Sequence, residues 1–68
     1  MSDEGYIKLD QFLKWSGAAE SGGHAKQIIL DGAVLVNGEP ELRRGRKLRA
    51  GDRVELDDQS WTVDPSQR

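Results

Sequence analysis

The sequence predicts an α+β fold, with two short helices on one face of a small antiparallel sheet. Three observations carry this reading. Apolar residues recur at helical spacing in the first half, the pattern switches to alternation after Ala33, and an Asn-Gly pair joins two extended runs.

The elements follow in order. "MSDEG" is polar and is expected to fray. "YIKL", Tyr6 to Leu9, reads either as a first strand or as a lead-in. From Leu9, "LDQFLKWSG" places Leu9, Phe12 and Leu13 at i, i+3 and i+4, one face of a helix. Asp10 stands in the first turn, where the helix dipole favours an acid, and Gly17 can close the helix in a left-handed cap. In "AAESGGHAKQIILDG", Ser21 is the natural N-cap of a second helix, Ala25, Ile28 and Ile29 make its buried stripe, and Gly32 stops it. Each stripe is only about two turns long, so neither helix is stable alone.

Val34 and Val36 then share one face of a strand that ends in Asn37-Gly38. Both central positions of a tight hairpin turn need positive φ, which these residues tolerate. Pro40 cannot donate to a ladder and marks the return strand as an edge. Ala50 to Asp52 is a turn, Val54 and Leu56 alternate on the next strand, and "DDQS" turns the chain into a last strand carrying Trp61 and Val63 inward.

With 68 residues the chain is long enough for one domain, residues 1–68, with an ordered core over about 6–63. It has no cysteine, so neither a disulfide nor a thiolate-bound metal supports it. No apolar run reaches the length of a membrane span. The acidic start "MSDEGYIK" lacks the basic and apolar character of a secretory signal, and a cytoplasmic protein is expected.

Catalysis finds little support. His24 is the one histidine, and a single imidazole cannot make a zinc site, which needs three or four ligands. No nucleophile and base stand at a telling spacing, and Asp57-Asp58 reads as a solvated turn. The expectation is therefore no enzyme, no metal and no cofactor. Gly22-Gly23 at a helix start could offer free backbone N–H groups to one phosphate, with Lys26 about one turn on, or could merely let the chain turn. The P-loop pattern is absent, and both readings stay open here.

The strongest feature is "ELRRGRKLRAGDRVEL". The formal net charge is −2, yet six of the ten Lys and Arg residues (Arg43, Arg44, Arg46, Lys47, Arg49 and Arg53) fall within this segment. Gly45 interrupts the run and permits a bend. If "RKLR" is extended, Leu48 points into the core while Lys47 and Arg49 share the outer face. Such anchoring fixes the cations and lowers the entropy lost when they bind. Arginine predominates, and its guanidinium suits phosphate better than an ammonium does. The competing reading is a loop neutralised by Glu39, Glu41 and Asp52.

"KLDQFLKW", "SGGHAKQIILDGAVLVNGE" and "RRGRKLRAGDRVEL" together resemble the S-four RNA-binding domain, the αL motif, and in particular its small stand-alone bacterial members. The resemblance spans about Tyr6 to Val63. It implies a two-helix hairpin on a small sheet and a non-catalytic module that contacts structured RNA, ribosomal or transfer, mostly through phosphates. The contacts it implies are Lys14, Lys26, Arg43, Arg44, Arg46 and Lys47, and Ser21, Gly22 and Gly23 join them as the candidate phosphate site at the start of the second helix. Where many members carry arginines after the helix-two serine, this chain has Gly22 and Gly23, which shifts the load to the Arg43 to Lys47 loop. His24 stands where an acid or amide is expected. By helical phase Trp15 faces away from the Leu9, Phe12, Leu13 stripe, so it is exposed, whereas Trp61 is core; with so few aromatics, base stacking is not expected to dominate. A monomer with no small-molecule substrate and no membrane contact completes the expectation. The rival function is a protein-interaction module docking on an acidic, ribosome-associated partner. A β-grasp sulfur carrier, suggested by "VNGE" and "AGDRVEL", would need a Gly-Gly end where this chain has "PSQR".

Overall fold

The computed structural model describes residues 5–64, so the expected fraying of Met1 to Glu4 lies outside it. The elements run β1 (Tyr6–Lys8), α1 (Leu9–Trp15), α2 (Gly22–Leu30), β2 (Val34–Val36), β3 (Glu39–Pro40), β4 (Lys47–Arg49), β5 (Arg53–Leu56) and β6 (Gln59–Thr62). The α+β class holds. The strands divide into two antiparallel sheets where the sequence suggested one: β3-β2-β5-β6, and a two-stranded ribbon of β1 with β4.

Alternation explains the four-stranded sheet. Val34 faces Leu56, Val36 faces Val54, and Val54 faces Trp61, all on the inner face, while Leu35, Glu55 and Ser60 face outward in register. Asn37 and Gly38 both have positive φ, 54° and 88°, as the hairpin between β2 and β3 requires. The Asn37 side chain accepts a hydrogen bond from Arg53 N–H and donates one to Asp52 Oδ1, so this turn also fixes the entry to β5. Pro40 sits on an edge strand. Two residues, Asp57 and Asp58, close the β5–β6 hairpin, with Asp57 at φ 55°.

Leu9, Phe12 and Leu13 of α1 are buried, and so are Ala25 and Ile29 of α2. Gly17, at φ 87°, ends α1 and turns the chain back. The link is tight: Ala19 is buried and its N–H reaches the Leu13 carbonyl at 3.0 Å. Ser21 caps α2, its hydroxyl accepting from His24 N–H at 3.1 Å. The two helices thus form the expected hairpin, packed over the inner faces of both sheets. Ile7, Leu48 and Val63 complete one continuous core, and the Trp61 and Phe12 rings meet edge to face with centroids 6.1 Å apart.

The stripe of α2 is narrower than the sequence suggests. Ile29 is fully buried, while Ile28 is only partly so and packs at the margin. Ile29→Ala should therefore lower the unfolding free energy by about 2–5 kcal/mol, the usual range for truncating a buried aliphatic side chain. Ile28→Ala should cost about half as much or less. Urea denaturation of the two variants checks this order.

Candidate nucleic-acid interface

The chain between β3 and β4 is built on Glu41. Its N–H bonds to the Val34 carbonyl at 3.0 Å, which continues the edge of the sheet and turns the side chain inward. Glu41 is the one buried charged residue among those described. A buried carboxylate must be paired. Here it accepts from Arg43 Nε at 2.9 Å, from Arg43 N–H at 3.1 Å and from Arg46 Nη1 at 2.6 Å. The Arg43 side chain hydrogen bond, with Arg46 and the Arg43 amide, outweighs desolvation and holds the Glu41 carboxyl well below its ordinary 4.5, at about 2. The same contact raises Arg43.

A turn closed by Arg46 N–H to the Arg43 carbonyl follows, with Gly45 inside it at an ordinary φ, so the bend does not depend on glycine's conformational freedom. The turn is also fastened to α1. No side chain caps this helix. Instead its first amides, Leu9 and Asp10, donate to the carbonyls of Arg46 and Arg44 at 2.8 and 3.1 Å. The basic loop is therefore held by a carboxylate on one side and by a helix terminus on the other. Its guanidiniums are not all neutralised, because Arg43 and Arg46 share one carboxylate and Arg44 has no ion pair among the described residues.

The loop runs into β4, whose Leu48 is fully buried opposite Ile7, as alternation predicts. The other face of the ribbon sets Lys8 opposite Lys47 and Tyr6 opposite Arg49. Lys47 Nζ and Arg49 Cζ lie 5.0 and 5.8 Å from the Tyr6 ring centroid. Both distances suit cation–π attraction, which orients the side chains without cancelling their charge. Like charges directly opposite across a ladder are unfavourable, so the Lys8 and Lys47 pair is a cost the fold carries. Lys8, Arg49 and Tyr6 belong to this face and were not among the contacts inferred from sequence. The matched alternation of "YIK" and "KLR" is the signal that could have found them.

The remaining sequence-inferred residues lie on the helices. Lys14 is exposed in the last turn of α1. Gly22, Gly23 and Lys26 are exposed in the first turns of α2, behind the Ser21 cap. Neither Gly22 nor Gly23 has positive φ, so the chain does not need them in order to turn. Their N–H groups have no acceptor among the described residues. His24 Nδ1 accepts from Glu20 N–H at 3.1 Å while Ser21 accepts from His24 N–H. This arrangement resembles a capping box, with an imidazole in place of the acid or amide and the bond made to the residue before the cap, and it gives His24 a structural place. Among the described residues, no side-chain hydrogen bond joins this turn to the Arg43 to Lys47 loop. The structure thus unites Arg43, Arg44, Arg46 and Lys47 on one fastened segment, while Lys14 and the α2 terminus stand exposed on the two helices.

The pattern that defines the S4 domain family matches residues 2–64 of the chain. The chain belongs to the S4 domain family. Among its relatives, a probable ribosome maturation protein of Bacillus subtilis, RlbA, is 51% identical over 55 residues, which is 81% of this chain and 78% of that protein. The putative RNA-binding protein YbcJ of Escherichia coli is 41% identical over 49 residues, 72% of this chain and 70% of its own length. The small ribosomal subunit protein uS4m of Schizosaccharomyces pombe is 42% identical over 53 residues, 78% of this chain but 16% of that protein. This S4 domain therefore matches most of two small proteins and a minor part of a larger one.

The Glu41 contacts make a pH-dependent prediction. A carboxyl whose folded pKa is depressed adds stability that is complete above its unfolded value and is lost as pH falls through the folded value. The extra stability of wild type over Glu41→Gln should be full above about pH 4.5 and gone near pH 2. Parallel denaturation of both proteins from pH 2 to 6 measures it, and a pH-independent difference would contradict the ion-pair assignment.

Proposed function

We propose that this chain binds structured RNA without catalysing a reaction on it, and that ribosomal RNA is the class it meets. The single observation behind this reading is the fastened cationic surface: two guanidiniums gripped by one buried carboxylate, continuous in sequence with a ribbon face bearing Lys8, Lys47, Arg49 and Tyr6. A double-helical RNA presents phosphates and 2′-hydroxyls on a wide shallow groove rather than a readable deep one. Cations held in advance, two of them against an aromatic ring, suit that target because little entropy is lost when they engage it. Family membership and the names of the relatives, two of them ribosomal, agree with the reading.

In this reading Arg44, Lys47, Arg49 and Lys8 contact phosphates directly. Arg43 and Arg46 do so with part of their donor set, the rest being committed to Glu41. The Gly22 and Gly23 amides, with Ser21 beside them and Lys26 one turn on, take a further phosphate, and Lys14 contributes from α1. The protein acts as a monomer in the cytoplasm, with no small-molecule substrate.

The test compares wild type with Arg44→Glu/Lys47→Glu, a pair chosen because neither side chain carries a core contact or a Glu41 bond. With a ribosomal RNA hairpin the variant should lose at least tenfold in affinity at fixed salt and keep its circular dichroism. Wild-type affinity should fall linearly on a log–log plot against salt, and single Lys47→Gln should reduce that slope by about one. Unchanged RNA affinity in the folded double variant would refute the surface. Salt-insensitive, stoichiometric binding to a protein partner instead would favour the docking-module alternative.

A further inference from the structure

One feature of the molecule goes beyond the phosphate surface, which takes only Lys14 from it. Gln11, Lys14 and Trp15 stand at i, i+3 and i+4 on α1, and with Ile7 they line an open depression of about 450 Å³. Trp15 is 53% exposed, although its neighbour Phe12 is buried. Its indole leans on the Phe12 ring at 5.9 Å and 43°, so it is braced from within and presents the rest of its surface to solvent. Among the described residues the indole N–H has no acceptor, the Gln11 side-chain amide has no partner (its backbone N–H donates to Asp10 Oδ1) and Lys14 has no carboxylate. Unpartnered hydrogen-bonding groups of three kinds thus surround an apolar patch that the core does not require.

We propose that this depression takes one unpaired nucleobase of the bound RNA, with Trp15 stacking on it, Gln11 bonding its edge and Lys14 meeting its phosphate. A nucleotide is the ligand that combines a π-face, edge donors and acceptors, and an anion within one unit, and the three side chains offer the complement of each. A single unmodified protein side chain supplies at most two of the three. The position agrees: the helix carrying the depression begins where its first amides cap onto the Arg44 and Arg46 carbonyls, so the depression stands on the short helix to which the basic loop is fastened. The inference rests on the RNA-binding reading and adds to it a preference for RNA with a loop, bulge or end beside its stem. One base does not make the chain a stacking platform; the phosphate surface still dominates affinity.

The chain has two tryptophans, so Trp61→Phe leaves Trp15 as the sole tryptophan, whose emission can be excited selectively over that of Tyr6. This protein is titrated with an RNA hairpin whose stem is closed by an unpaired loop, and with the same stem as a blunt duplex. Hairpin binding should quench the Trp15 emission and the duplex should leave it unchanged. In the otherwise wild-type chain, Trp15→Ala should weaken hairpin binding by about tenfold and duplex binding by less than about twofold, with Trp15→Phe in between. If Trp61→Phe disturbs the fold, fluorotryptophan labelling of the intact chain, with Trp15→Phe to assign the signals, gives the same readout. Equal losses on both RNAs, or hairpin binding with a silent Trp15, overturn the subsite and leave the RNA reading standing. A Trp15 that responds to a protein ligand and not to RNA assigns the depression to protein docking and overturns it too. Failure of wild type to bind either RNA overturns the parent reading and the subsite with it.

Discussion

The surface of this protein depends on where one carboxylate lies. Glu41 is carried inward because its backbone extends the β2–β3 edge, and once buried it must find cations. It takes two, Arg43 and Arg46, from the loop that follows. A flexible run of arginines becomes a fixed one as a result. Breaking such a pair by removing one partner strands a charge, which makes the arrangement hard to leave once formed. The carboxylate acts here as an organiser. It neutralises one charge and positions two, and the loop beyond it keeps a positive excess.

The second fastening comes from the backbone. A helix of seven residues with no side-chain cap would fray, yet α1 begins on the carbonyls of Arg46 and Arg44. The same loop is thereby tied to the core through Leu9 and, a few residues on, through Leu48 opposite Ile7. Six cations and one aspartate between Arg43 and Arg53 give that stretch five positive charges, so the rest of the chain carries seven negative ones for the total of −2. The outer face of the larger sheet, with Glu55 in the register of Leu35 and Ser60 and the Asp57-Asp58 turn at its end, belongs to that acidic remainder. A molecule so divided turns one side toward a polyanion and is repelled from it elsewhere.

Much of this was legible in the sequence, because local signals decide it. Leu9, Phe12 and Leu13 gave the first helix face, Ser21 the cap of the second helix, Asn37-Gly38 the hairpin, and Leu48 between Lys47 and Arg49 the inward anchor. Other features depend on contacts distant in sequence. Tyr6–Lys8 finds its partner about forty residues on, and a three-residue strand carries too little pattern to announce such a pairing, so the ribbon and its Lys8 and Arg49 face were not foreseen. Glu41 read as a neutralising charge because nothing local says that an acid beside Pro40 will be buried. Ile28 and Ile29 are equally apolar, and only the packing of the two helices decides which is enclosed. His24 carried no clear role because its bond to Glu20 N–H substitutes for the usual acidic or amide cap.

The central claim is that the loop and ribbon, fastened by Glu41 and the α1 terminus, are the side of the molecule that meets RNA. Backbone amide shifts of the isotopically labelled protein, followed during titration with a ribosomal RNA hairpin, test it most directly. The account predicts that the largest changes fall on Lys8, on Arg43 to Arg49 and on the start of α2, while Leu35, Glu55 and Ser60 stay in place. Changes centred on those three residues, or spread evenly over the chain, would contradict it.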